Sequence, residues 1–218
     1  MLFTICMMTM LVHDSVYAAS VKLNRTQVQI VRGDTCRLYV KGTTAKVRWS
    51  SANSKIATVS NGKVTAKKKG TTVIYAKVRG KTYACKVTVV TQQRAYIDTL
   101  QKQINIQRRR YGFNSYDRNS LLQQAAQKRA KELAEKFSHA RPNGYNWASA
   151  ISMRYNFEKA SELTARYYTD PQEVVDAWMS NASTKAKIIS KRYNEIGVGV
   201  YLDEDGYLYY AVIVARKK

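Results

Sequence analysis

The stretch VRWSSANSKIATVSNGKVTAKKKGTTVIYAK, Val47 to Lys77, alternates apolar and polar residues on both sides of Asn61-Gly62. Period-2 alternation rich in valine, isoleucine, threonine and tyrosine predicts short β-strands, and Asn-Gly is the best short signal for a hairpin turn. The same pattern extends over residues 20–90, where the predicted strands are Val28–Val31, Cys36–Val40, Ala45–Ser50, Ile56–Val59, Lys63–Ala66, Thr71–Val78 and Lys81–Val90. So many short strands favour an antiparallel β-sandwich.

This stretch closely resembles the bacterial immunoglobulin-like domain of group 2. The elements Trp-Ser-Ser-x-Asn, Ala-Thr-Val and Gly-x-Val-x-Ala of that family stand here in order, beginning at Trp49, Ala57 and Gly62. The resemblance covers residues 20–90 and implies a spacer or attachment module of a bacterial surface or secreted protein, without chemistry of its own. It also implies that Trp49 is a large core residue and that Gly70 forms a tight corner.

Two cysteines, Cys36 and Cys85, lie in this predicted domain, and a third, Cys6, precedes it. Strand periodicity places Cys36 and Cys85 on the apolar faces of their strands, so both thiols are expected to point into the core. A disulfide between them would stabilise the domain by roughly 4 kcal/mol in the chain-entropy treatment. Two buried free thiols that act as small hydrophobic side chains are the alternative.

The charge is divided unevenly along the chain. Residues 20–90 carry 16 lysines and arginines against a single acid, Asp34, a net charge of +15. Residues 91–218 carry 21 lysines and arginines against 13 acids, a net charge of +8. This change in composition predicts a domain boundary near Val90–Gln93, with a second domain over residues 91–218.

The positive field of the first domain predicts affinity for polyanions such as anionic cell-wall or extracellular polymers. The alternative is that these charges only keep the surface soluble. Specific nucleic-acid recognition is not expected, because no aromatic platform separates the basic side chains. These include Arg37, Lys41, Lys86 and the run Lys67–Lys69.

The first residues, MLFTICMMTMLVHDSVYAAS, are apolar from Leu2 to Val12, and Val16 and Ala18 have the −3 and −1 spacing that signal peptidase recognises. Residues 1–19 are therefore predicted to be a signal peptide, which makes the mature protein secreted. The apolar run is too short to span a bilayer. A buried amphipathic N-terminus is the alternative.

Helices are expected in the second domain. Ile97, Leu100 and Ile104 predict one within Thr91–Arg110, and Ser120 with Gln123 can form the capping box of the next. Its apolar stripe comprises Leu122, Ala126, Ala130, Leu133 and Phe137. Asp170 suits the N-cap and Pro171 the first position of a third helix.

A small sheet is also expected in this domain, because Glu195–Ala215 predicts a hairpin that turns at Asp203–Gly206. Helices around a small sheet give an α+β or layered α-β-α arrangement.

A second resemblance rests on RAKELAEKFSHARPNG, KASELTARY, VVDAWMSNASTKAKII and YNEIGVGVY, which stand in this order between Arg129 and Tyr201. They resemble bacterial members of the CAP superfamily of cysteine-rich secretory, antigen 5 and pathogenesis-related proteins. The resemblance implies an α-β-α sandwich. It also implies a cleft in which a histidine and a glutamate meet a second histidine, sometimes around a divalent metal. His139 matches the first histidine, and Glu162 matches the acid of the family's Gly-Glu-Asn element.

The chain departs from this family at several positions. Gly-Glu-Asn has become Ser-Glu-Leu around Glu162, Thr184 stands where the second histidine is usual, and Val212 replaces a polar residue of the last strand. These departures remove half of the cleft chemistry that the resemblance implies. We therefore expect no metal and no cofactor.

Other chemistry has little support. The sequence has no glycine-rich phosphate loop and no Cys-x-x-Cys, and His139 is the sole histidine after residue 19, so a multi-histidine zinc site is excluded. Its spacing to serines and acids does not indicate a catalytic triad. Trp147 and Trp178 are expected to be core aromatics, with a ligand platform as the alternative. Tyr207, Tyr209 and Tyr210 are expected to pack along a strand with one alternating face exposed.

The sequence thus predicts a secreted, cell-surface or cell-wall-associated binding protein without enzymatic activity, an immunoglobulin-like spacer that carries a degenerate CAP module. His139, Glu162 and Trp147 are its candidate ligand-binding residues, and Thr184 belongs to the remnant of the cleft. The alternative is a CAP-type hydrolase or metal-dependent enzyme that uses His139 and Glu162.

Overall fold

A computed structural model describes residues 20–218, so the predicted signal peptide of residues 1–19 lies outside the described residues. The chain divides into two compact units, the first ending at Val90 and the second beginning at Thr91. Within the described part of the chain, no helix combines the length and apolarity needed to cross a membrane.

The described part of the first unit is all β. Its strands are β1 (Lys22–Leu23), β2 (Gln27–Val31), β3 (Thr35–Arg37), β4 (Val40–Lys41), β5 (Arg48–Ser51), β6 (Ala57–Ser60), β7 (Lys63–Ala66), β8 (Gly70–Val78) and β9 (Lys81–Val90). They form the sheets β2-β9-β8-β5 and β3-β7-β6 and the pair β1-β4. Side chains from both larger sheets share one core. The predicted β-sandwich is confirmed, although β2 pairs with β9 in parallel rather than antiparallel.

In two predicted strands the bounds differ by more than one residue. The predicted strand Cys36–Val40 is divided into β3 and β4, because β3 pairs with β7 whereas β4 pairs with β1. The predicted strand Ala45–Ser50 begins only at Arg48, since the hydroxyl of Thr43 accepts the Ala45 N–H at 3.1 Å and holds a turn.

The Asn61-Gly62 turn joins β6 to β7, as predicted. Gly62 has φ +78°, and a Cβ there would lie closer than 3.0 Å to the Leu38 carbonyl oxygen, so glycine is required. Trp49 is half-buried and packs against the core from its margin instead of filling its centre.

Cys85 is fully buried in this core, whereas Cys36 is half-buried beside it, and both are free thiols. Burial raises the pKa of each thiol, and the neighbouring Cys36 raises that of Cys85 further. A raised pKa reduces the thiolate fraction on which oxidation depends. The disulfide stays a prediction.

The second unit contains helices and one mixed sheet. Its helices are α1 (Gln92–Arg110), α2 (Ser120–Glu135), α3 (Pro171–Ser180) and α4 (Ala182–Ile188), with a 3-10 helix at Trp147–Ala150. Its strands are β10 (Asp117–Arg118), β11 (Phe157–Arg166), β12 (Glu195–Leu202) and β13 (Leu208–Lys217). The sheet order is β10-β12-β13-β11, so the last strand lies in the interior of the sheet between β12 and β11.

Helices cover both faces of this sheet, which confirms the predicted α-β-α sandwich. On one face, buried side chains of α1, α3 and α4 pack against alternate residues of β11, β12 and β13. On the other face lies α2, whose Leu122 and Ala126 pack against Ile213 and Ala215. Gly197 and Gly199 of β12 allow the α2 backbone to approach so closely that a Cβ at either position would overlap it.

The helix starts differ in part from expectation. Asn119 caps α2 through its side-chain oxygen, which accepts the N–H groups of Leu121 and Leu122, so the predicted Ser120–Gln123 capping box is wrong. Asn119 takes this role because its extended backbone places the oxygen beside the free N–H groups. Gln123 instead bonds the backbone of Val198 in β12. Asp170 and Pro171 begin α3 as predicted.

Candidate functional site

His139 and Glu162 meet at the end of α2. His139 lies in the bend that follows this helix, and Glu162 lies in the middle of β11, on the face of the sheet that α2 covers. The Nδ1 atom of His139 is 2.6 Å from Oε2 of Glu162. The Glu162 side chain is fully buried, whereas that of His139 is 56% exposed. The structure therefore brings these two predicted residues together at a half-open site.

Arg129 is the principal partner of Glu162. Its Nε donates to Oε1 of Glu162 at 2.7 Å, and both side chains have no exposed surface. The same guanidinium donates to the Ser138 carbonyl at 2.7 Å, which fixes the segment leading to His139. The negative charge of the buried Glu162 carboxylate is thus balanced by the buried positive charge of Arg129, because a buried ion needs a charge partner.

A second carboxylate extends the network. Glu132 accepts from Arg129 at 2.8 Å and from Arg141 at 2.7 Å. Burial alone would raise the pKa of Glu132, but the hydrogen bonds from Arg141 and Arg129 outweigh it and hold the pKa below its ordinary value. Burial likewise opposes the charge of Arg129, yet its bonds to Glu162 and Glu132 raise the pKa of the guanidinium. Arg129 and Glu132 are therefore both charged at neutral pH.

Lys187 and Thr184 of α4 make hydrogen bonds to different parts of the second unit. Lys187 donates its Nζ to the backbone carbonyl of Glu162 at 3.0 Å. The hydroxyl of Thr184 in α4 donates to the Trp178 carbonyl in α3 at 2.6 Å. Among the described residues, no hydrogen bond or ion pair joins Thr184 to His139 or Glu162. The predicted cleft remnant is therefore assembled only in part.

The two candidate tryptophans pack in or against the core of the second unit. Trp178 is almost fully buried, and its indole N–H donates to the Thr164 carbonyl at 3.1 Å. Trp147 is half-buried against the apolar cluster under α2, and its backbone N–H donates to the His139 carbonyl at 3.0 Å. Val212 is fully buried on the opposite face of the sheet. Of these residues, Trp147 alone adjoins the candidate site.

The donor set does not fit a divalent metal. No three side chains of His, Cys, Asp and Glu converge on one point within residues 20–218. The cations Arg129, Arg141 and Lys187 exceed the acids Glu132 and Glu162, so the site is positively charged even when His139 is neutral. A divalent cation would have to compete with Arg129 for the same carboxylate, and zinc would lack a second imidazole.

Sequence reasoning missed Arg129, although a signal for it existed. Arg129 falls at helical spacing between Ala126 and Leu133, inside the apolar stripe of α2. A charge in an apolar stripe indicates a buried partner, because an isolated ion is too costly to bury. The spacing alone does not say which acid provides that partner.

Replacing His139 by alanine is expected to lower the free energy of unfolding by about 1 kcal/mol or less. The reason is that water already reaches the imidazole, and Glu162 keeps its bond to Arg129 when the ring is removed. Urea unfolding followed by tryptophan fluorescence measures the change. A loss above about 2 kcal/mol would show that the imidazole, not Arg129, is the main partner of Glu162.

Comparisons with known proteins extend this description. The sequence model described as "Cysteine-rich secretory protein family" (CAP) matches residues 101–214. The model of the bacterial Ig-like domain (group 2) matches residues 17–89. Both resemblances of the sequence are confirmed by these matches.

Similar proteins include the uncharacterized protein YkwD of Bacillus subtilis, 26% identical over 108 residues, which span 48% of this chain and 42% of YkwD. The chain thus matches less than half the length of that relative. An outer surface protein of Borrelia burgdorferi has a similar structure, with a TM-score of 0.53 at 21% identity over 58% of this chain and 96% of that one. An extracellular protein containing an SCP domain from Bacillus anthracis has a TM-score of 0.53 at 18% identity over 62% and 47% of the two chains. These likenesses support the fold of the second unit.

Proposed function

Because the chain belongs to the cysteine-rich secretory protein family, we propose that it is a secreted or cell-surface binding protein without enzymatic activity. The immunoglobulin-like unit acts as a spacer or attachment module for the CAP unit. The ligand is an anionic polymer of the cell wall or the extracellular matrix. The names of the structural neighbours, an outer surface protein and an extracellular protein, support this location.

One observation carries the proposal: the buried carboxylate of Glu162 is bonded to the buried guanidinium of Arg129 at 2.7 Å. A general base or a metal ligand needs a lone pair that is free to accept a proton or a cation. In Glu162 one oxygen faces Arg129 and the other faces His139. The alternative, a hydrolase or metal-dependent enzyme using His139 and Glu162, loses its acid to this internal ion pair.

The basic first unit supplies the attraction for a polyanion. Its net charge of +15 lies on a small β-sandwich, and the run Lys67–Lys69 is exposed in the segment before β8. A polyanion that binds such a surface releases its condensed counterions, so affinity depends steeply on salt.

We expect the full chain to bind alginate and long-chain polyphosphate at low ionic strength, with an affinity that falls linearly on a log–log plot against salt. Changing Lys67, Lys68 and Lys69 together to glutamine should weaken binding by about tenfold and flatten the salt dependence. Isothermal titration calorimetry at several salt concentrations measures both quantities.

The matched control removes the same number of charges from α1, by changing Lys102, Arg109 and Arg110 to glutamine, and should weaken binding less. If the unaltered chain binds neither polymer at low salt, or if binding ignores added salt, the proposed function is wrong. Equal losses in the two triple variants would mean that net charge, rather than the first unit, attracts the polymer.

A further inference from the structure

Four side chains form an exposed cluster at the end of β11, which we name the arginine platform: Phe137, Arg166, Tyr167 and Tyr207. The guanidinium carbon of Arg166 lies 4.4 Å from the ring centre of Phe137 and 4.8 Å from that of Tyr167. The ring centres of Tyr167 and Tyr207 are 5.0 Å apart. All three rings keep a third to a half of their surface exposed. Together they present three exposed rings, with one cation between Phe137 and Tyr167.

Arg166 has N–H donors to offer a ligand. Within the described part of the chain, its guanidinium makes ring contacts but no hydrogen bond or ion pair. The rings of Phe137 and Tyr167 hold the Arg166 guanidinium in place and leave the N–H groups along its edge free to donate. A guanidinium held in this way is suited to bind a planar carboxylate through two parallel hydrogen bonds, because less side-chain freedom is lost on binding.

The backbone beneath the platform is strained. Tyr167 has φ +72°, in the left-handed region that a bulky side chain rarely adopts. Its backbone N–H donates to the Leu208 carbonyl at 2.8 Å, and its ring lies 5.9 Å from the buried ring of Tyr209. Strain of this kind persists where the surrounding structure enforces it, and it is concentrated at functional positions. Here it turns the Tyr167 ring towards Arg166 and Tyr207.

The neighbouring turn fixes the other side of the platform. Asp203 accepts the backbone N–H of Tyr207 at 2.7 Å and so holds the turn between β12 and β13. Glu162 and Arg166 face the same side of β11 four residues apart, a separation of about 13 Å. The platform and His139 therefore line one surface of the second unit.

We propose that the arginine platform binds a polysaccharide of pyranose rings that carry carboxylates. The C–H face of a pyranose ring is apolar and stacks on the exposed faces of Phe137, Tyr167 and Tyr207, as rigid aromatic side chains do at other binding surfaces. A carboxylate on the sugar pairs with Arg166. This inference rests on the proposed function and names a binding site and a ligand class for it.

The test compares three polymers on the full chain: alginate, which has pyranose rings and carboxylates, dextran, which has rings alone, and polyglutamate, which has carboxylates alone. At moderate salt the unaltered chain should bind alginate more tightly than either of the others. Arg166→Gln and Tyr207→Ser should each weaken alginate binding by about tenfold, and Arg166→Lys should recover only part of the loss because lysine cannot form the planar fork.

Arg110→Gln and Tyr145→Ser remove the same groups at exposed positions elsewhere in the second unit and should leave alginate binding unchanged. Tyr167→Gly relieves the left-handed backbone, so it should weaken alginate binding without lowering the thermal midpoint. Equal affinity for alginate and polyglutamate, or unchanged alginate binding in Arg166→Gln and Tyr207→Ser, overturns the platform. If those two variants bind normally while the Lys67–Lys69 variant does not, the platform fails and the proposed function stands.

Discussion

Replacing Arg129 by methionine is expected to lower the free energy of unfolding by about 3–5 kcal/mol, because the Glu162 carboxylate is then left buried without its charge partner. Both side chains are fully shielded from water, and their contact of 2.7 Å is a charged hydrogen bond as well as an ion pair. The exposed imidazole of His139 cannot replace a permanent buried cation. Urea unfolding is the suitable measurement, since guanidinium salts screen ion pairs.

A second substitution separates the cost of an unpaired charge from the loss of packing. Changing Arg129 to methionine and Glu162 to leucine together removes both charges and should restore most of the lost stability. Arg110→Met, on an exposed arginine of α1, should change stability by no more than about 0.5 kcal/mol. A cost below about 1 kcal/mol for Arg129→Met alone would mean that the carboxylate is hydrated or protonated, which would contradict the ion pair with Arg129.

All of these variants are best made in a chain that also carries Trp49→Phe. The remaining tryptophans, Trp147 and Trp178, both lie in the second unit, so fluorescence then reports the unfolding of that unit alone.

Replacing Gly199 by alanine is expected to cost about 3 kcal/mol of stability, the upper end of the usual range for overpacking. A Cβ at this position would lie closer than 3.0 Å to the backbone carbonyl of Ala126 in α2, and backbone cannot move aside as a flexible side chain can. The helix would have to shift away from the sheet and weaken the packing under it. Thermal or urea unfolding measures the cost, and Gly197→Ala should behave in the same way against Leu122.

The matched control is Gly206→Ala in the turn between β12 and β13. Gly206 has φ +86° and open space around its Cα, so alanine there meets only backbone strain of about 1–2 kcal/mol. If Gly199→Ala costs no more than Gly206→Ala, the close approach of α2 to β12 is not as tight as the structure has it.

The chain order of strands and helices follows from the sequence because alternation and capping are local signals. Asp170-Pro171 and Asn61-Gly62 mark a helix start and a hairpin by their own chemistry, and both lie where they were predicted. The parallel pairing of β2 with β9 could not be derived this way, since it joins segments far apart in the chain.

In the candidate site, the sequence predicted only those residues that match a known family motif. His139 and Glu162 were identified by resemblance, and they do meet. Arg129 determines the electrostatics of the site, yet its partner lies 33 residues away on another element, and several acids competed for that role until the register of β11 was known. Tyr207 is exposed, but Tyr209 and Tyr210 are both buried, so the expected exposed face of this strand is wrong. The reason is that helices cover both faces of the sheet. The position of Arg166 between two rings likewise depends on tertiary structure.

The interior position of β13 has a consequence for how the chain folds. This strand pairs with both β12 and β11, so the sheet of the second unit has no continuous ladder until Leu208–Lys217 is in place. During synthesis, β11 has no neighbouring strand to pair with until β13 is made. Pairing of strands that are far apart in the sequence is slow and comes late in folding. The second unit therefore completes its sheet only after β13 has been synthesised.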